Sequence, residues 1–335
     1  MLDLFSGIGG FHQGFKQAGF KFDWVGFSET DIYASSVYKY NFPGSQELGD
    51  VRLIQPRRDL PSYIDILCAG FPCQAFSQAG RRLGFDDTRG TLFFEIARLL
   101  EYYKKIKKPV QYLVLENVKG LLSHQNGRTF ATIYQILTEL NYTIECELLN
   151  SRNFNVPQNR ERVFIVGFLG KGNRGKIFPI TNDGKISDKK YSKKDKTILP
   201  SITASEFRGA SKQRAQNLVS MNRLKKIGTI GKDAESSRVY SINGVSRTIT
   251  DGGGMGAKTG LYEVENRIRR LTPTECCRLQ GFSDDFNKYG LINNKKTLIS
   301  DTQRYKQAGN AVTTSVVKKI AEKLLALTEN KVKER

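Results

Sequence analysis

Asp3-Leu-Phe-Ser-Gly-Ile-Gly-Gly10 is an apolar run that breaks into a glycine-rich turn, with the helical spacing of Phe11–Ala18 following at once. Glycines let a backbone turn tightly and let a ligand approach it closely, and a helix start offers unpaired N–H groups. The run is not the GxGxxG dinucleotide fingerprint, so alone it signals only a turn. A second apolar run, Trp24–Phe27, is followed by Glu29, about twenty residues on, where Rossmann-like folds set a carboxylate against ribose hydroxyls. Together the two stretches point to an adenosine-containing cofactor. Asp50, ending the next unit, suits the adenine amino group, and Phe5 suits the face of the ring. A purely structural turn beside an exposed glutamate is the plainer reading and stays open here.

Outward from this stretch, short apolar runs alternate with helical spacing as far as residue 168. Leu2–Phe5, Trp24–Phe27, Ile64–Ala69, Tyr112–Leu115 and Val163–Phe168 read as buried strands, and Phe11–Ala18, Asp31–Tyr40, Leu92–Tyr103 and Gly127–Leu140 as helices. That alternation predicts an α/β fold, a parallel sheet with helices on both faces, whose ligands bind beyond the carboxyl ends of the strands. After Gly167 the pattern breaks. Residues 170–196 are polar, with Gly172, Gly175, Gly184 and the run Lys189–Lys196; a basic DNA-facing loop and a solvated linker fit them equally. From there to about 265 no clean period appears and glycines recur, densest at 252–256, which predicts a small loop-rich domain. Helical spacing returns at Thr272–Leu279 and Thr313–Leu327.

Charge narrows the partners. The chain has 335 residues, 39% of them apolar, and a formal net charge of +20. Residues 171–270 hold 22 Lys and Arg against 9 Asp and Glu, so +13 of that excess lies there. Such a balance predicts contact with a polyanion, most simply nucleic acid. The five cysteines, at 68, 73, 146, 276 and 277, and the two histidines, His12 and His124, have no metal-site spacing. Cys146, Cys276 and Cys277 fit core packing. No secretory signal is legible at the start, and no apolar run approaches the ~20 residues of a membrane span. The expectation is a cytoplasmic protein without metal, in a reducing compartment.

Three further stretches carry chemistry. Gly70-Phe-Pro-Cys-Gln-Ala-Phe-Ser77 puts Cys73 just past a strand end on a loop stiffened by Pro72, where an α/β enzyme would mount a nucleophile. Leu113-Val-Leu-Glu-Asn-Val-Lys-Gly120 ends an apolar strand in Glu116, either a fold-stabilising hydrogen bonder or a proton donor with a raised pKa. Gln158-Asn-Arg-Glu-Arg-Val-Phe-Ile-Val-Gly167 sends Arg160 and Arg162 to one side near the start of a buried strand, which suits an anion or a polarised carbonyl.

These blocks resemble those of bacterial DNA (cytosine-5)-methyltransferases of the restriction–modification type. Asp3–Phe11, Gly70–Gln74, Glu116–Val118, Gln158–Arg162, Arg270–Phe282 and Gln307–Val312 occur in the family's order and span the chain. The resemblance implies a Rossmann-like S-adenosylmethionine-dependent methyltransferase sheet in residues 1–169. It implies a target-recognition domain in 170–265, and a C-terminal segment, 266–335, whose helices return to the catalytic domain. It implies that Cys73 adds to carbon 6 of a flipped-out cytosine, that Glu116 engages N3 and the exocyclic amine, and that Arg162, supported by Arg160, holds O2. By the same resemblance Phe5, Ser6, Gly7, Gly9, Gly10, Glu29, Thr30, Asp50, Val51, Pro72 and Asn310 line the site for S-adenosyl-L-methionine, which leaves as S-adenosyl-L-homocysteine. Gln74, Ser77, Thr248, Thr250, Gly253 and Gly254 approach the double-stranded DNA, and Arg238 is a candidate reader of guanine, with a phosphate contact equally open. A monomer, and a restriction endonuclease acting on the same site, are the family expectations.

Two departures from the family stand out. The chain begins partway into its first strand, and Thr30 stands where some relatives carry an aromatic residue against adenine. The nearest alternative is a tRNA cytosine-5 methyltransferase, a branch that tends to carry Pro-Pro-Cys where this chain has Phe71-Pro72-Cys73. A nucleotide-dependent oxidoreductase would leave Cys73, Glu116 and the basic region idle, and a non-catalytic DNA-binding protein explains only the charge.

Overall fold

The structure is a computed structural model that describes residues 1–72, 92–170, 176–180, 198–199, 224–232, 237–249 and 260–333. Its elements run β1 (Leu2–Leu4), α1 (Gly10–Gln17), β2 (Gly26–Ser28), α2 (Ile32–Asn41), β3 (Gln46–Glu47), the one-turn α3 (Pro56–Asp59), β4 (Ile66–Gly70), α4 (Leu92–Lys105) and β5 (Tyr112–Val118). Then come α5 (Arg128–Glu139), β6 (Tyr142–Asn150), β7 (Glu161–Leu169), β8 (Ile198–Leu199), β9 (Lys226–Thr229), β10 (Arg238–Ser241), β11 (Leu261–Val264) and β12 (Arg267–Arg269). The chain closes with α6 (Pro273–Leu279), β13 (Tyr289–Ile292), β14 (Lys295–Leu298), α7 (Asp301–Asn310) and α8 (Thr314–Lys333).

The large sheet has the order β3-β2-β1-β4-β5-β7-β6-β8. From β3 to β5 every neighbour is parallel. The Val163–Phe168 run, expected as one more parallel strand, lies in β7, which is antiparallel to both β5 and β6. The physical reason is the connection. Residues 151–160 join β6 to β7 as a short turn with no crossover helix, and a turn that short can only reverse direction.

Strand alternation then sorts the core. On one face Leu67, Ala69, Leu113 and Leu115 pack under α4 and α5 through Phe93, Ile96, Leu100, Ile133 and Leu137. On the other, Ile66, Cys68, Val114 and Phe164 meet Phe11 and Phe15 of α1 and Val316, Val317 and Ile320 of α8. Both faces are covered, as such a sheet requires. A Cβ on Gly10 would stand 2.5 Å from Val312 Cγ1, so only glycine lets the helix start close against the C-terminal segment. The sheet order reverses at β1, which has β2 on one side and β4 on the other, and ligands of such sheets bind at that reversal.

Between residues 224 and 269 a second sheet, β12-β11-β10-β9, stands where no period is legible in the sequence. Its strands have only three or four residues, too few to display alternation. Tyr240, Ile249 and Tyr262 from this region pack with Leu271, Cys276, Leu279 and Ala308 of the C-terminal segment.

Candidate active site

Strand β1 delivers the glycine turn to the carboxyl edge of the sheet. Phe5 adopts a left-handed φ of 53°, costly for a non-glycine residue and the sort of strain kept where backbone placement matters. Its ring packs on the core beneath the sheet. Glu29, after β2, draws the turn together: its Oε2 accepts from Gly7 N at 2.8 Å, and its Oε1 from Thr30 N at 2.8 Å and Asp31 N at 2.9 Å. Space beside Gly7 is open, with nothing within 4 Å of where a Cβ would stand, and the buried Ser6 hydroxyl has no partner. An open cradle, an unpaired hydroxyl and a carboxylate with a lone pair to spare fit a nucleoside with ribose hydroxyls.

Asp50 caps the 3-10 turn Val51–Leu53, accepting from Arg52 N at 3.0 Å, and the Arg52 guanidinium also holds it, Nη2 to Oδ2 at 2.5 Å. That guanidinium holds the Asp50 carboxyl below its usual range. Val51 is buried, while Thr30 and Pro72 are exposed. Asn310 is exposed at the end of α7, and that helix is tied to the cofactor edge by Lys306 Nζ on Asp31 Oδ2 at 2.6 Å. Three residues before Asn310, Gln307 is buried with both amide atoms unpartnered.

One strand further along, the chemistry changes character. Glu116 pairs across the sheet with Gly70, the last residue of β4, and its Oε2 lies 3.7 Å from where a Gly70 Cβ would stand. Arg162 Nε lies 3.0 Å from the buried Glu116 Oε1, an ion pair at the heart of the cluster. Burial pushes the Glu116 carboxyl above its ordinary pKa, and Arg162 and Arg160 partly oppose the rise. The same burial, with the neighbouring Arg162, pulls the Arg160 guanidinium down to about 9. Glu116, Arg160 and Arg162 therefore form one charge cluster, in which the buried Arg160 Nε has no hydrogen-bond partner.

Arg160 also ties three segments together. Its Nη1 donates to Ile249 O at 3.1 Å and its Nη2 to Ala311 O at 3.0 Å. Gln158 joins the same seam, Nε2 donating to Leu279 O at 2.8 Å and Oε1 accepting from Ile249 N at 3.2 Å. Residues 246–249 thus run beside 157–160, and the Thr248 hydroxyl donates to Asn159 O. Arg238 opens β10, where it pairs with Thr229. Cys73, Gln74, Ser77, Thr250, Gly253 and Gly254 lie outside the described residues.

Asn117, buried beside Glu116, was given no role by sequence reasoning. Its Nδ2 donates to Phe71 O at 2.8 Å and its Oδ1 accepts from Val118 N at 2.8 Å, so it fixes the backbone two residues before Cys73. A polar residue in an apolar strand is the signal that the sequence offers for it. Asp3 was passed over likewise. It is fully buried, with Tyr38 Oη donating to its Oδ2 at 3.3 Å, and burial raises its carboxyl well above the usual range.

The family described as C-5 cytosine-specific DNA methylase matches residues 1–326. The type II methyltransferase M1.ScrFI of Lactococcus lactis subsp. cremoris is 40% identical, over 99% of this chain and 79% of that protein. M.HhaI of Haemophilus parahaemolyticus is 35% identical, over 96% of this chain and 92% of that protein. Among solved structures, the S. pombe Dnmt2 methyltransferase superposes with a TM-score of 0.65 at 18% identity, covering 98% of each chain, a likeness that speaks to the fold. Family and fold together imply use of S-adenosylmethionine, and the type II relatives favour DNA over tRNA. The chain belongs to the C-5 cytosine-specific DNA methylases and is a DNA (cytosine-5)-methyltransferase.

Proposed function

We propose that methyl transfer in this enzyme is divided between a nucleophile on the Gly70–Ser77 segment and a buried charge cluster at the ends of β5 and β7. Carbon 5 of cytosine is a poor nucleophile. Addition of the Cys73 thiolate to carbon 6 turns the ring into an enamine. Glu116 donates a proton or hydrogen bond to N3 and takes the exocyclic amine, so charge does not build on the ring. Arg162 holds O2, and Arg160 keeps Arg162 and the recognition region in register. S-adenosyl-L-methionine supplies an electrophilic methyl group on its sulfonium. Loss of the carbon-5 proton to a base and expulsion of Cys73 restore the aromatic ring.

The observation that carries this reading is the pairing of Glu116 with Gly70. It sets a carboxyl with a raised pKa, ion-paired with Arg162, against the strand end that leads to Cys73. On the cofactor side, Phe5, Ser6, Gly7, Gly9, Gly10, Glu29, Thr30, Asp50, Val51, Pro72 and Asn310 surround the nucleoside and its methionine tail. The open space beside Gly7 and the unpaired Ser6 hydroxyl support that assignment. Residues 170–265 form the recognition region and 266–335 the returning segment. Gln74, Ser77, Arg238, Thr248, Thr250, Gly253 and Gly254 face the DNA. Because its hydroxyl is engaged by Asn159, Thr248 offers DNA its backbone and methyl group.

The product is S-adenosyl-L-homocysteine, and the transfer as proposed calls for no metal, because the sulfonium itself activates the methyl group. The enzyme works as a monomer in the cytoplasm, alongside a restriction endonuclease of the same site. Among the described residues no helix is long and apolar enough to cross a membrane.

The test is methyl transfer from labelled S-adenosylmethionine to unmethylated duplex DNA, followed by bisulfite sequencing. Label is expected at carbon 5 of cytosine within one short recurring sequence. Cys73→Ser is expected to give no detectable transfer while still binding S-adenosylhomocysteine. Transfer surviving in that variant would remove Cys73 from the chemistry.

A further inference from the structure

The Asp50–Ile54 turn is poorly supported by its own backbone. It leaves β3, a strand of only two residues at the edge of the sheet, and its internal bonds are Leu53 N to Asp50 O at 2.9 Å and Ile54 N to Val51 O at 3.3 Å. A 3-10 segment of three residues does not hold its own position, because nucleating so short a helix is unfavourable. Ser28 Oγ, donating to Gly49 O at 2.7 Å, steadies its near side. The far side is held from α4. Arg98 Nη1 donates to Ile54 O at 3.0 Å and Nη2 to Val51 O at 3.1 Å, while its Nε reaches Glu95 Oε2 at 2.7 Å.

A guanidinium fork suits this task because it offers fixed parallel donors that a lysine ammonium lacks. Its base is rigid: Phe93, Ile96, Ala97, Leu99, Leu100 and Tyr103 of α4 are all buried in the core. Glu95, 13% exposed, fixes the guanidinium and also lies within electrostatic reach of Arg52, whose guanidinium holds Asp50. Arg98 thus holds the turn through its carbonyls, with Glu95 fixing the guanidinium that does so.

We propose that Arg98 is a positioning residue for cofactor binding: it sets the turn on which Asp50 and Val51 meet the adenine end of S-adenosylmethionine, and it touches neither substrate itself. The inference rests on the assignment of Asp50 and Val51 to the cofactor site. Because the turn lies on the cofactor side of the sheet, the loss of Arg98 raises the KM for S-adenosylmethionine and leaves the chemistry at Glu116 alone.

The experiment uses the full-length enzyme, with calorimetric titration of S-adenosylhomocysteine and steady-state kinetics in which S-adenosylmethionine and DNA are varied separately. Arg98→Met is expected to weaken S-adenosylhomocysteine binding about tenfold, with an equal rise in KM for S-adenosylmethionine; kcat at saturation and KM for DNA stay within about twofold. Arg98→Lys, with one donor able to reach a carbonyl, recovers part of the loss. Glu95→Gln leaves both carbonyl bonds in place and shifts the same Kd in the same direction by about two- to threefold, a second reading should Arg98→Met fold poorly. A wild-type Kd in Arg98→Met or Glu95→Gln overturns the proposal, as does a fall in kcat with KM for S-adenosylmethionine unchanged. Asp50→Ala separates the two levels. If it weakens binding and Arg98→Met does not, only the positioning role falls. If Asp50→Ala itself binds normally, the assignment of the turn to the cofactor falls, and the role of Arg98 with it.

Discussion

The two halves of the central sheet solve different problems with different materials. From β3 to β4 the strands have two to five residues, and the turns beyond them present backbone amides and carboxylates at the rim, with Glu29 gathering three N–H groups and Asp50 capping a turn. From β5 to β7 the strands have seven to nine residues; β5 carries Glu116, β7 carries Arg162 and Arg160 stands just before β7, in a charge cluster with little access to water. On the roles proposed above, the first half binds a molecule that must come and go with each turnover, and exposed polar atoms suit that exchange. The second must hold charge against a base ring during reaction, and charge acts more strongly where water is excluded. The cost appears in the pKa values: burial raises Glu116 and lowers Arg160, whereas on the cofactor side Asp50 is lowered by its partner Arg52.

The sharpest way to break this contrast is at Glu116. Glu116→Gln keeps the shape and an N–H donor but removes the transferable proton, and kcat is expected to fall by about 10²–10⁴ with S-adenosylhomocysteine binding within about twofold. The pH profile adds a sign. Because burial favours the protonated form in the folded protein, the donor form is present below the raised pKa and is lost as pH rises through it. The wild-type rate should therefore show an alkaline decline from this group, and that decline should be missing in the glutamine variant. A variant with the same decline, or with near-normal kcat, would place the proton elsewhere.

A middle-sized effect is expected at Arg160, where the base side is tied to the rest of the molecule. Arg160→Met removes the donors to Ile249 O and Ala311 O and leaves two carbonyls in a buried seam, at roughly 1–3 kcal/mol each, partly offset by relief of a buried charge. Thermal unfolding should show a net loss of about 2 kcal/mol. An unchanged melting temperature would mean that the seam between residues 157–160 and 246–249 is held without help from Arg160.

How much was legible follows the same division. In the first half the glycine turn and the acidic residue after the second strand are legible in sequence, and Glu29 accepts from Gly7 N across the switch point. The base half shows its charges but not their partners. Arg160 and Arg162 were legible as neighbours, yet the carbonyls that hold Arg160 come from positions 249 and 311, far along the chain. Asn117 acts through the carbonyl of Phe71, a backbone atom that no residue pattern announces. The second sheet and α7 escaped because strands of three or four residues, and a helix reading Asp-Thr-Gln-Arg-Tyr-Lys-Gln, carry almost no hydrophobic period. The antiparallel β7 was missed because buried strands look alike in either direction.

The smallest expected effect tests the cofactor half. Glu29→Gln leaves one oxygen to accept where two now serve three amides, and it replaces a charged acceptor by a neutral one. Charge-assisted bonds are about twice as strong as neutral ones, so part of the turn's support and part of any ribose contact is lost together. S-adenosylhomocysteine binding should weaken by about three- to tenfold, with kcat at saturating S-adenosylmethionine unchanged within about twofold. The split between Kd and kcat is what matters. A fall in kcat of the size expected for Glu116→Gln would mean that the two halves are not separable, and that the rim carboxylate reaches the transition state through the strand between them.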